Sequence, residues 1–256
     1  SASVSLYPED EQTQKALYLM GCAFERLELF PTAIKIYNEV IDAYPDSDEC
    51  RESILKIAML GGQRTGLRVP VYLTAAAHFE DPLTAYDMLL AARPGRDFEE
   101  RVRFAKAETL SHQGRYAEAI DEYLRLGEKY PQGQYGTILP GRVKAAVWKL
   151  TDVLYDSGDH VAIASLYCKT FGRISFEWND LDGIMKVADS LHKMSLDEEA
   201  IRVLKDAQKV SPDRNAQNLI IKAMQTMNNN VRDLGSLHTR AETPDSSDGA
   251  SGQPLE

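Results

Sequence analysis

The chain has 256 residues, 43% of them hydrophobic and 27% charged, which is enough apolar material to bury a core and excludes wholesale disorder. A formal charge of −10 and the absence of any Lys/Arg cluster exclude the basic face that neutralises phosphates, so no nucleic-acid partner is expected. No apolar run approaches the roughly 20 residues needed to span a bilayer, and SASVSLYPEDEQ at the start has neither a charged leader nor a hydrophobic core, so the chain reads as soluble. Its Ser1 start and Leu255-Glu256 end fit a processed or trimmed piece of a longer protein, which leaves room for a signal or anchor in the part cut away.

In chain order, the first predicted element is LYLMGCAFERLELFPTAIKIYNEVIDAYP, from Leu17 to Pro45: a helical apolar stripe, a small residue, a short turn, an A-[IV]-x-x-[YL] run and a proline. From Asp46 to Asp97 further helices are expected, on the stripe Ile54, Ile57, Ala58 and Leu60 and again from Leu83 to Ala92. Gly61-Gly62 and Gly66 read as a loop there, and Pro70, Pro82 and Pro94 disfavour helix just before them, so 47–98 is a divergent pair with a long connection. The pattern returns in FAKAETLSHQGRYAEAIDEYLRLGEKYP, from Phe104 to Pro131, again closing on Tyr-Pro. Weaker copies span Val147 to Phe171, without the terminal proline, and Ile184 to Pro212. The spacing of Ala216, Leu219, Ile220, Ala223, Met224 and Met227 predicts a closing helix over 213–230. Residues 238–256, rich in Ser, Gly, Pro and Asp, form an expected disordered acidic tail.

These stretches resemble the tetratricopeptide repeat, a helix–turn–helix unit of roughly 34 residues with small residues where its helices cross. The resemblance implies an all-α fold over 1–237, a right-handed α-solenoid of about ten to twelve helices in antiparallel pairs and no sheet. Its clear repeats would lie near 14–46, 100–132, 144–172 and 181–213. In its register Gly21, Ala107 and Ala188 are the small residues of the first helix, with Phe24, Leu110 and Leu191 as large knobs. Ala33, Ala119 and Ala200 are small in the second helix, beside Tyr37, Tyr123 and Leu204. Pro45, Pro131 and Pro212 stop it.

In that family the first helix of each repeat lines a concave groove that holds a peptide or helix of a protein partner. Carried onto this chain, the groove shows Lys15, Tyr18, Cys22 and Arg26, then Arg101, Phe104, Glu108 and His112. Trp148, Asp152 and Tyr155 follow, then Met185, Asp189 and His192. Tyr18, Phe104, Trp148 and Met185 share one register position, which makes either an aromatic and apolar ladder for a peptide or ordinary packing between repeats. The two-carboxylate clamp of chaperone adaptors needs Lys and Asn where Tyr18 and Cys22 stand, which tells against that use. The Tyr-Pro endings are similar to those of bacterial envelope members of the family, the outer-membrane assembly lipoprotein and the Tol-Pal-associated periplasmic protein, and imply an envelope or periplasmic setting.

Nothing in the sequence proposes catalysis, a cofactor or a metal. Gly61 to Gly66 has the outer spacing of a phosphate loop but continues Leu67-Arg68, lacking the lysine and hydroxyl such a loop requires, and reads as a glycine turn between helices. The five histidines contain no HExxH, and Glu108 with His112, one turn apart, reads as a surface pair. Cys22, Cys50 and Cys168 have no CxxC pairing and are expected as buried or half-buried free thiols. Cys22 and Cys50 are offset by about 9 Å along neighbouring helices, beyond the roughly 7 Å limit for a disulfide. Three functions remain in view: a scaffold that binds a protein segment; a spacer or self-association module using the apolar VPVYLTAAAHF; and, last, an enzyme or carbohydrate-binding accessory using aromatic residues beside Asp152 and Asp156.

Overall fold

The computed structural model describes residues 11–63, 71–74, 77–79, 81–170, 172, 173, 175, 177, 180–211 and 213–241, with 63, 71–74, 77–79 and 229–241 described by backbone alone. Among the described residues there are eleven helices: α1 (Glu11–Arg26), α2 (Phe30–Ala43), α3 (Asp48–Gln63), α4 (Pro82–Ala91), α5 (Arg96–His112), α6 (Tyr116–Lys129), α7 (Leu139–Ser157), α8 (His160–Thr170), α9 (Leu181–Lys193), α10 (Asp197–Val210) and α11 (Arg214–Ala241). The fold is all-α, with α1/α2, α5/α6 and α9/α10 packed as helix hairpins of the tetratricopeptide kind. The chain divides into two compact units, Ser1–Leu150 and Thr151–Glu256.

The expectation of no sheet needs correcting. Between α3 and α4 the strands β1 (Val71–Thr74) and β2 (Ala77–Phe79) form an antiparallel ribbon that pairs Val71 with Phe79 and Tyr72 with His78. Val71-Tyr72-Leu73-Thr74 is rich in β-branched and aromatic residues, and such residues favour the extended chain where no helix partner competes.

The same turn joins the helices of four pairs. Glu28, Gly114, Gly158 and Ser195 each take a positive φ, at 58°, 76°, 75° and 60°. The N–H of the next residue then reaches back five positions, as Leu29 to Phe24 O at 3.0 Å, Arg115 to Leu110 O at 2.9 Å, Asp159 to Leu154 O at 2.9 Å and Leu196 to Leu191 O at 2.9 Å. This left-handed closure satisfies a carbonyl that the helix end would otherwise leave open. Glycine supplies it at two of the four turns, which is why the other two are faint in the sequence. Both Tyr-Pro endings behave alike: Tyr44 and Tyr130 leave the helical region at φ −136° and −130°, as a residue before proline must, and bury their rings.

The small-to-large register is what the structure holds. Ala33, Ala107, Ala119, Ala188 and Ala200 are buried, as are Tyr37, Tyr123, Leu110, Leu191 and Leu204, while Phe24 is half-buried against the cluster Leu17, Ile36, Val40 and Tyr44. Gly21 lies under the Tyr37 ring so closely that a Cβ there would stand 2.5 Å from Cε1 and 2.8 Å from Cδ1. The loop expected at Gly61-Gly62 is instead the last turn of α3. Gly62 is small because α5 passes against it: a Cβ would meet Thr109 Cγ2 at 2.6 Å, and the Thr109 hydroxyl is hydrogen-bonded to Tyr86 of α4 at 3.0 Å. A glycine that breaks a helix and one that admits a neighbour look alike in sequence.

The closing helix runs on to Ala241, past the expected end at 230 and into the first residues of the expected tail. Residues 242–256 of that tail, Gly66-Leu67-Arg68, Pro70, Phe171 and Pro212 lie outside the described residues. The three cysteines are free; Cys22 is half-buried and Cys50 buried, but Cys168 is exposed, contrary to expectation, because it sits on the outer side of α8 while Ile163, Ala164 and Leu166 turn inward. Burial pushes the Cys50 thiol up to about 11, with Asp46 and Asp42 adding to it.

Gly21→Ala is expected to destabilise by about 1–3 kcal/mol through overpacking against Tyr37, opposite in sign to the gain of up to about 1 kcal/mol that helix propensity alone gives. A lowered urea midpoint checks this, and an unchanged or raised midpoint contradicts it.

Candidate interaction face

In the first unit the predicted groove residues fall into two groups. Lys15, Arg26 and His112 are exposed, while Tyr18, Arg101, Phe104 and Trp148 are half-buried. Tyr18 leans on Tyr37, with ring centroids 5.9 Å apart, and lies within electrostatic reach of both Glu52 and Arg101. Phe104 stacks face to face on Tyr135 at 4.0 Å and tilts against Tyr123 at 6.2 Å. The residues of the ladder are therefore partly spent on their own neighbours. Trp148 likewise has contacts of its own.

Between them runs a set of ion pairs that joins each first helix to the next. Glu25 of α1 holds Lys56 of α3 at 3.1 Å, Glu52 of α3 holds Arg101 of α5 through both carboxylate oxygens, and Glu108 of α5 holds Arg142 of α7 at 3.2 Å. In every pair the acid belongs to the earlier helix. Two of these acids also take a tyrosine hydroxyl from the second helix of their own hairpin: Tyr37 donates to Glu25 at 2.7 Å, and Tyr123 donates to Glu108. Burial, then hydrogen bonds to Cys22 and Glu25 for Tyr37 and to Glu108 for Tyr123, push both phenols well above the ordinary tyrosine range, so they remain donors. Cys22 stands where Glu108 falls in the later repeat, and there the Tyr37 hydroxyl meets Cys22 Sγ at 3.5 Å and Glu25, one turn on, at 2.7 Å.

The expected Glu108–His112 surface pair is absent. Glu108 is buried at 8% exposure and turned to Tyr123 and Arg142, whereas His112 is exposed and its Nδ1 lies 2.7 Å from the Glu108 backbone carbonyl. A buried carboxylate needs the stronger donors, and a phenol with a guanidinium supplies them.

In the second unit Asp152 of α7 holds Lys186 of α9 at 2.7 Å, and Tyr155 donates to Asp189 at 2.9 Å, where Lys193 also pairs at 2.7 Å. Met185 and Tyr155 are half-buried. Asp152, named beside Asp156 for carbohydrate chemistry, is thus held in an ion pair.

Sequence reasoning missed Glu25, Glu52, Lys56, Arg142, Tyr135 and Lys186. Glu52 and Lys56 stand one turn apart on α3, a spacing that suggests a pair within the helix. The structure sends one to α5 and the other to α1. Only the contact between hairpins reveals it.

Two clefts open beside the first turn of α5. One, of about 460 Å³, is lined by Asp48, Arg51, Glu52, Arg93, Phe98 and Arg101 among others. The other, of about 420 Å³, is lined by Arg96, Asp97, Glu100, Arg101, Gln132, Gly133 and Gln134. Among the described residues no group of three His, Cys, Asp or Glu side chains is placed to hold a metal, and no helix is long and apolar enough to cross a membrane.

One electrostatic consequence is measurable. Burial alone would raise the Glu99 carboxyl, but hydrogen bonds from Lys129, Arg103 and Tyr130 outweigh it and bring it from the ordinary 4.5 down to about 2. Because the folded value is depressed, the stability this group adds is complete above the unfolded value near 4.5 and is lost as pH falls towards 2. A carboxyl-detected NMR titration is expected to place its midpoint near 2, and a midpoint at 4.5 contradicts these bonds.

No curated protein matches the chain. The tetratricopeptide repeat model matches residues 15–47 and 101–133, the α1/α2 and α5/α6 hairpins, which supports a place in that superfamily, whose repeats are generally protein–protein interaction modules.

Proposed function

We propose that this chain is an interaction scaffold whose first-helix face receives a segment of a protein partner. The observation that carries this is the junction of α1, α3 and α5, where the half-buried ring of Tyr18 and the ring of Tyr135, stacked on Phe104, lie within electrostatic reach of Arg101 in its pair with Glu52, with Arg101 over Phe98 at 5.2 Å. Rings beside arginine bury much area at little conformational cost and dominate protein interfaces. The ion pairs hold the helices at fixed spacing, so a partner meets a preorganised surface. The Tyr-Pro endings, Tyr44-Pro45 and Tyr130-Pro131, support a setting in a bacterial envelope, motility or secretion assembly, and the net acidity favours basic partners.

Replacing Tyr18, Phe104 and Trp148 together by Ala is expected to abolish capture of cross-linked partners from membrane and soluble fractions while the helical circular dichroism signal is kept. Capture at undiminished strength by the folded variant contradicts the reading.

A second reading, self-association, is favoured by one feature. α1 exposes Ala16, Leu19, Met20 and Ala23, and Leu27 continues the stripe just past its end, with Leu19 at 54% and Leu27 at 67%. Such a stripe is what the end of a repeat stack shows where another helix can cover it. The apolar VPVYLTAAAHF segment, the other candidate surface, has side chains outside the described residues. Sedimentation that rises with concentration and falls back with Leu19→Glu is the expected signature, and a monomer at every concentration contradicts it.

A further inference from the structure

Glu100 is 3% exposed, yet only one donor reaches it: the Tyr135 backbone N–H, 3.3 Å from Oε1. Among the described residues Oε2 has no hydrogen-bond donor. Oε2 is not sealed away as a fully buried atom: it opens to the cleft, where its acceptor positions can take a donor from outside. The surroundings are shaped to keep it there. Gly133 lies over the group so closely that a Cβ would come 2.8 Å from Oε2 and 2.5 Å from the carboxyl carbon, so no other residue leaves room for it. The carboxylate lines the 420 Å³ cleft together with Arg96, Asp97, Arg101, Gln132 and Gln134.

The charges around this cleft leave one negative charge over. Arg101 is neutralised by Glu52, and Arg96, whose guanidinium lies over the Tyr130 ring at 5.6 Å, lines the cleft together with Asp97, so that these two contribute opposite charges. Glu100 has no cation of its own. Gln132 and Gln134, both exposed side chains lining the cleft, are free to turn an amide oxygen each beside Oε2 as further acceptors. Three acceptors and one negative charge match an ammonium, which has three rotatable N–H donors, better than a guanidinium, whose planar fork needs two oxygens of one carboxylate. Oε1 is already taken.

We propose that the cleft between the start of α5 and the 131–136 turn is a binding site for a lysine side chain of a partner, with Glu100 as its buried counter-ion and Gln132 and Gln134 as its rim. This adds a contact point to the interaction reading above and gives the partner a basic character. Its test uses a short peptide and not the partner, so either idea can fail alone.

The probe is the blocked peptide acetyl-Gly-Gly-Lys-Gly-Gly-amide, titrated at low salt into the full chain and followed by amide NMR, against the same peptide with norleucine. The lysine peptide is expected to shift Gly133, Gln134 and Tyr135 in a saturable way that weakens with salt, and the norleucine peptide is expected to leave them in place. Glu100→Gln keeps the shape and the bond to Tyr135 but removes the charge, and is expected to weaken binding about tenfold or more. Gln132→Ala with Gln134→Ala, at exposed positions, is expected to weaken it about threefold and decides the matter if Glu100→Gln does not fold. Equal shifts from both peptides, no shift from the lysine peptide up to about 10 mM, or unchanged affinity in a folded variant overturns the proposal.

Discussion

Much of the first unit depends on one arrangement: a tyrosine of the second helix laid on a small residue of the first, its hydroxyl held by a carboxylate that also grips a cation of the next first helix. Tyr37, Glu25 and Lys56 make one instance, and Tyr123, Glu108 and Arg142 the other. The ring fixes the crossing within a hairpin, because only Gly21 or Ala107 lets the helices come close enough to bury it. The carboxylate passes that position on to the next hairpin. In a repeat protein each unit touches only its neighbours, so a group that serves both the crossing and the joint sets local stability and spacing together.

The consequence for function is that the first-helix face is internally paired before any partner arrives. Glu52 with Arg101 repeats the acid-then-cation order without a tyrosine, and Asp152 with Lys186 repeats it in the second unit. On the proposed reading a partner would meet rings and paired charges at fixed positions, and its affinity would come from fit to those rings and not from free charges along the helices. Glu100 is the exception, a buried acid that no cation answers.

Legibility in the sequence followed the length scale of the forces. The size register from Gly21 to Leu204 was readable because helix crossing within a hairpin is local. Tyr-Pro endings were readable for the same reason, since proline acts on the residue just before it. Glu52 and Lys56 were misleading, because their spacing is that of an intrahelical pair while their partners lie on other hairpins. Gly62 was read as a break because nothing nearby in the chain names Thr109, and the ribbon at Val71 lay in a segment read for its glycines, prolines and apolar character, none of which distinguishes an extended chain from a loop. Of the groove residues, Tyr18 and Phe104 were named from the register, but Tyr135, which covers Phe104, comes from a turn outside the repeat pattern.

The most direct measurement is a double-mutant cycle on Tyr123→Phe and Arg142→Met by urea unfolding, since both residues are joined through Glu108. The account predicts non-additivity of at least about 0.5 kcal/mol, showing that the carboxylate couples the crossing to the next hairpin. Effects that add to within about 0.3 kcal/mol would show that crossing and joint are independent, and would contradict it.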